Sequence, residues 1–224
     1  MENYSFFDDI TQAEEDPLLG LPILFNKDPR KDKVNLGIGS FKTAEGRSLL
    51  LESVQKAETA LLQQKSPRDY LPIEGDARFN LETIRLVLGE HAPLDQVLCF
   101  QTIGGTQGLR LGGEFLAQHL ASSIYISSPS WSNHELIFSS AGLSFEHYPY
   151  YDSKNHQIVF DQMVEKIKKM APGSVILLQA ANHNPTGANL SKKQWEELAS
   201  LIPKLGVLPF FDTAYQGFGS SLEE

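Results

Sequence analysis

The chain has 224 residues, 41% hydrophobic and 21% charged, a composition that can bury a sizeable core and argues against disorder. Its net charge is −9, and Asp28 and Asp32 interrupt the nearest basic cluster, KDPRKDK (27–33), which argues against nucleic-acid binding. The single cysteine, Cys99, excludes an internal disulfide, and the acidic start MENYSFFDDITQAEEDP carries neither signal peptide nor membrane span, so a cytoplasmic protein away from membranes is expected.

The first forty residues read as loop-like, with a short apolar piece PLLGLPILF (17–25), a charged turn and VNLGIGSF (34–41). A helix pattern follows, LLLESVQKAETALLQQK (49–65), and then a connector, YLPIEGD (70–76), broken by Pro72 and Gly75. ARFNLETIRLVLGE (77–90) predicts a helix that stops near Gly89. From there short apolar runs alternate with helical segments. The runs QVLCFQTI (96–103), SSIYISS (122–128), LSFEHYPY (143–150), SVILLQA (174–180) and GVLPFFD (206–212) predict strands. Between them LRLGGEFLAQHL, NHELIFSSAG, FDQMVEKIKKM and LSKKQWEELASLI predict helices. The third of these places Met163, Ile167 and Met170 on one face, and the fourth offers Ser191 and Gln194 as a capping box. Strands alternating with helices argue for an α/β fold around a largely parallel sheet.

In such sheets ligands bind beyond the carboxyl ends of the strands. Four strand ends here carry polar signals: GGTQG (104–108), PSWSNH (129–134), NHNPTG (182–187) and DTAYQGF (212–218). GGTQG is either a glycine-rich turn or a phosphate cradle, where Gly105 admits close approach at a helix start and Thr106 adds a hydroxyl. The spacing is not that of a dinucleotide fingerprint. Asp212, behind Phe210 and Phe211, either caps the next segment or pairs with a cation such as a protonated pyridine nitrogen. Asn184-Pro185 starts a turn, or aims an amide at a ligand oxygen, and Trp131 is a core aromatic or a plate for a flat ring. His134 and His183 read as structural histidines, and the six histidines and Cys99 show no metal-ligand spacing. Together these signals suggest one flat, phosphorylated ligand with a basic ring.

In their order along the chain, VNLGIGSF, DYLPIEGD (69–76), GGTQGLR, PSWSNH, HNPTG and FDTAYQGF resemble the class I aminotransferases, fold-type I pyridoxal-phosphate enzymes of the aspartate and aromatic branch. The resemblance implies a three-layer, mostly parallel α/β sheet. Residues 1–47 would form an N-terminal arm with part of the small domain, and 48–224 an incomplete large domain. It implies pyridoxal 5'-phosphate as cofactor and a homodimer acting on an amino acid and a 2-oxo acid. Asp212 would pair with the pyridinium nitrogen, with His134 supporting it from behind. Asn184 and Tyr215 would bond the ring hydroxyl, and Trp131 would stack on the ring. Gly105 and Thr106 would hold the phosphate, and Tyr70 would reach the phosphate in the other subunit. Gly39, with Trp131 and Asn184, would border the substrate.

The departures shape a further expectation. The family's Schiff-base lysine, and the arginines that bind phosphate and substrate carboxylates, fall beyond the stretch matched here. The chain is therefore expected to be an N-terminal portion, inactive alone; the alternative is a truncated product that only binds or dimerises. A fold-type I lyase or decarboxylase is a third reading, disfavoured by YLPIEG and PSWSNH. Gly104 stands where the family usually carries serine, and Gln179 where many relatives have a histidine near the ring.

Overall fold

The computed structural model describes residues 5–11, 17–35, 43, 45–65, 69–219 and 221. The chain divides into two compact units, Met1–Asp69 and Tyr70–Glu224. Among the described residues the first holds two helices, α1 (Pro17–Lys27) and α2 (Glu52–Gln64). PLLGLPILF, expected within loop-like sequence, is thus helical. Its leucines are strong helix formers, Pro17 stands where a helix needs no N–H, and Pro22 forgoes a single backbone bond. None of α2 is buried.

The second unit opens with α3 (Ala77–Leu88). The Asp76 carboxylate accepts the Phe79 N–H at 2.7 Å, and Gly89, at φ 83°, ends the helix as expected. The run 96–103 does not form the expected strand. Leu94–Gln96 makes a 3-10 turn, and the residues after it join no ladder among the described residues. Its polar groups bond α3 and the turn before it instead: Gln101 N–H reaches Glu74 O at 2.9 Å, and Cys99 O accepts from Asn80 Nδ2 at 3.2 Å. Leu98 and Ile103 stay exposed, because a strand also requires a neighbour to pair with.

The rest alternates as expected apart from a small hairpin that the sequence did not announce: α4 (Gly105–His119), β1 (Ser123–Ser128), α5 (Asn133–Ser140), β2 (Ser144–Pro149), the hairpin of β3 (Tyr151–Asp152) and β4 (Gln157–Ile158), α6 (Phe160–Ile167), β5 (Val175–Gln179), α7 (Lys192–Leu201) and β6 (Leu208–Asp212). Four strands form one parallel sheet in the order β2-β1-β5-β6. Side chains alternate across it. Ile124, Ile126, Val175 and Leu177 pack against Leu109, Leu116 and Phe138 of α4 and α5. Tyr125, Ile176 and Leu178 pack against Met163, Ile167, Met170 and Leu198 of the α6 and α7 layer. The result is a three-layer α/β sandwich around a parallel sheet. Ser191 and Gln194 close the capping box on α7: Gln194 N–H donates to Ser191 Oγ, and Ser191 N–H to Gln194 Oε1 at 2.8 Å.

Candidate active site

In a parallel sheet with returning helices, every segment leaving a strand's carboxyl end emerges on the same edge. PSWSNH leaves β1 there, NHNPTG leaves β5, and Asp212 closes β6. Helix α4 runs opposite to the strands. A Cβ on Gly112 would lie 2.8 Å from the Phe210 ring in the middle of β6, while Ala117, further along α4, lies beside Gly142, just ahead of β2. The first turn of α4 therefore faces the same edge, with Gly105 and Thr106 exposed in it. Its N-cap, Gly104, at φ 94°, supplies no side-chain acceptor, so the first N–H groups and the helix dipole are free to face an anion.

Asp212 is held from behind. His134, fully buried, places Nε2 2.8 Å from Asp212 Oδ2, and its Nδ1 lies 2.8 Å from Ser130 Oγ. Asp212 Oδ1 takes no hydrogen bond among the described residues, and the side chain keeps 18% of its surface exposed. The edge of His134 meets Trp131 at right angles, with ring centroids 5.3 Å apart.

An ionised Asp212 can only accept, and this sets the direction of a longer chain of bonds. With a neutral His134 whose Nε2–H donates to Asp212, Nδ1 accepts from the Ser130 hydroxyl. Ser130 then accepts from Ser127 at 3.1 Å, and Ser127 from His183 Nε2–H at 2.9 Å. His183 Nδ1 is left to accept from the Thr186 hydroxyl at 3.0 Å, and Thr186 Oγ1 accepts the Ala188 N–H at 3.2 Å. Each link requires neutral imidazoles. Burial lowers the pKa of His183 from 6.5 to about 4, and its ring stacks 4.0 Å from that of Tyr150.

The NHNPTG turn brings Asn184 to the same edge, where its Nδ2 donates to the Tyr215 hydroxyl at 3.4 Å. Its backbone is clamped by Gln179, the last residue of β5. Gln179 Oε1 accepts the Asn184 N–H at 2.7 Å, and Nε2 donates to Asn184 O at 3.0 Å.

The structure thus brings His134, Asp212 and Trp131 into one group and Asn184 and Tyr215 into another, on neighbouring strand ends, with Gly105 and Thr106 on the same edge. Tyr70 is fully exposed and contacts none of them among the described residues. Gly39 lies outside the described residues. A groove of about 990 Å³ runs along the other side of β6, where Phe211 and Thr213, which alternate with Asp212, line it with Leu86, Gly89, Ala180 and Gln216. Sequence reasoning missed Ser127, Ser130 and Thr186 as parts of the site and read Gln179 only as a departure. Ser130 and His134, four apart around a helix start, were the available signal.

Residues 31–223 match the family described as aminotransferase class I and II. Over 221 residues the chain is 43% identical to aspartate aminotransferase 3, chloroplastic, of Arabidopsis thaliana, covering 96% of this chain and 49% of that protein. It is 43% identical over 225 residues to the cytoplasmic aspartate aminotransferase of Oryza sativa subsp. japonica, covering 98% of this chain and 55% of that one. Among solved structures, an aromatic-amino-acid aminotransferase from Burkholderia pseudomallei, covalently bound to pyridoxal phosphate, superimposes with a TM-score of 0.94 at 40% identity, over 98% of this chain and 56% of that chain. The chain spans about half the length of the curated relatives it matches.

Proposed function

Because the chain belongs to the class I and II aminotransferases, we propose that it forms the cofactor-holding part of a pyridoxal 5'-phosphate-dependent transaminase. That enzyme moves an amino group between an amino acid of aspartate or aromatic type and a 2-oxo acid. In family terms residues 1–47 are the arm with part of the small domain and 48–224 part of the large domain. The compartment is cytoplasmic, as in the rice relative's name.

The carrying observation is Asp212, fixed through one oxygen by the buried His134 with the other oxygen open beside Trp131. The donor set fits the cofactor: a carboxylate for a ring N–H, an amide and a phenol for a ring oxygen, a flat aromatic, and an uncapped helix start for a phosphate. When bound, pyridoxal 5'-phosphate supplies an electron sink for the pair released at the substrate α-carbon. Asp212 keeps a proton on the pyridine nitrogen, and His134 holds the carboxylate in place. Asn184 and Tyr215 hydrogen-bond the ring oxygen, while Trp131 covers the ring face and excludes water from it. Gly105 and Thr106 donate to the phosphate, and Tyr70 reaches the phosphate of a partner subunit in a homodimer. Gly39, Trp131 and Asn184 border the substrate. The lysines Lys192, Lys193 and Lys204 lie exposed on α7 and the turn after it, and the 224 residues alone are expected not to catalyse turnover.

Titration of the chain with pyridoxal 5'-phosphate, followed by absorbance and tryptophan fluorescence, tests the reading. Saturable binding should weaken tenfold or more in Asp212→Ala, since a charged hydrogen bond is worth ~1.5–3 kcal/mol. Equal affinity would refute the assignment. Borohydride added to the mixture should leave no stoichiometric lysine adduct; such an adduct would overturn the inactivity of the chain.

A further inference from the structure

We infer that Gln179 is the positioning residue joining the two arms of the site, the Asp212 arm that serves the ring nitrogen and the Asn184 arm that serves the ring oxygen; this rests on the function proposed above. Three hydrogen bonds carry it. Gln179 holds both backbone polar groups of one residue, Asn184, at 2.7 Å and 3.0 Å. Its Nε2 also lies 3.4 Å from Ser130 Oγ, the hydroxyl bonded to Nδ1 of His134. In the sheet register Gln179 stands directly opposite Asp212. One amide on a strand therefore touches the turn that aims Asn184 and the chain that orients Asp212.

The geometry gives Gln179 a role that a space-filling residue lacks. The Asn184 backbone leaves the strand, and a turn residue without such a clamp can rotate its side chain away from Tyr215. An amide supplies donor and acceptor together without a charge. A histidine in its neutral form also offers one of each, but on opposite sides of a rigid ring, so it cannot grip the N–H and the C=O of the same residue. A carboxylate would place negative charge against the Asn184 carbonyl.

The test uses 4-deoxypyridoxine 5'-phosphate, which keeps the ring nitrogen, the hydroxyl and the phosphate but has no aldehyde, so binding needs no lysine. Its affinity is read by tryptophan fluorescence, and the protonation of the bound ring by its ultraviolet spectrum. Gln179→Met should weaken binding about tenfold, as expected for two or three lost hydrogen bonds, and shift the bound spectrum. In an Asn184→Ala background the same change should cost less than about threefold, because Gln179 acts through Asn184. A loss that is equal in both backgrounds, or an unchanged spectrum, overturns the proposal. Gln179→Glu, which keeps the shape and the acceptor and gives up the donor, serves if the methionine variant melts below the assay temperature; affinity equal to wild type then overturns the proposal. Asp212→Ala separates the two readings. If wild type does not bind the probe up to millimolar concentration, or Asp212→Ala binds as wild type does, the proposed function falls. If Asp212→Ala weakens binding while Gln179→Met does not, only the role of Gln179 falls.

Discussion

Replacing His183 with glutamine should flatten the acid side of the stability profile. His183 is buried, stacked on Tyr150, and bonded to Thr186 and Ser127. Its folded pKa of about 4 lies below the 6.5 of the free side chain, so the folded protein binds fewer protons than the unfolded chain. The contribution is therefore complete above 6.5 and is lost as the pH falls toward 4. The gap between the two values corresponds to on the order of 3 kcal/mol, of which about 2 kcal/mol is gone by about pH 4.5. Glutamine can still donate to Ser127 but does not titrate. Urea unfolding of both proteins at about pH 7 and about pH 4.5 reads the effect. The wild-type loss between the two pH values should exceed the variant's by about 2 kcal/mol, whatever packing energy the substitution removes at neutral pH. Equal losses would mean that His183 accepts a proton in the folded protein, and the directional chain of bonds to Asp212 would be wrong.

Two backbone predictions concern the frame around the site. Gly75→Ala should destabilise by about 1–3 kcal/mol, read as a lower urea midpoint, because Gly75 is at φ 90° and a Cβ there would lie 2.3 Å from that of Gln101. Displacing Gln101 also removes its bond to the Asp76 N–H, which helps hold the start of α3. Ser191→Ala should cost about 1 kcal/mol by thermal or urea unfolding, through loss of the α7 cap, without altering probe binding, because Ser191 lies outside the site.

Much of this architecture is legible in the sequence because the governing physics is local. The Ser191 and Gln194 pair writes its own helix start, Gly89 its own helix end, and the Met163, Ile167 and Met170 spacing its own buried face. The run 96–103 misleads for the opposite reason. Its apolar residues report a wish to be buried, whereas a strand depends on a neighbour that local sequence does not specify. The β3–β4 hairpin is too short, at two residues a side, to show a period. In the site, the strand-end positions of Asp212 and Asn184 could be read, but the bonds of Gln179 could not. They cross five residues to Asn184 and forty-nine to Ser130, and depend on which strands become neighbours.

That neighbour relation explains why the polar work is divided among strand ends rather than concentrated in one loop. On the proposed reading, ring nitrogen and ring oxygen lie a fixed distance apart on a flat ligand, so the groups that would serve them need a fixed separation too. β5 and β6 are paired over five residues, from Val175 with Leu208 to Gln179 with Asp212. Changing that separation would mean slipping the register, and a one-residue slip would turn Leu177 and Phe210 out of their apolar layer. The core therefore holds the site at its spacing. What the sheet cannot fix is the direction of a turn that has already left it, and at Asn184 the Gln179 amide carries the rigidity of the strand one residue group further.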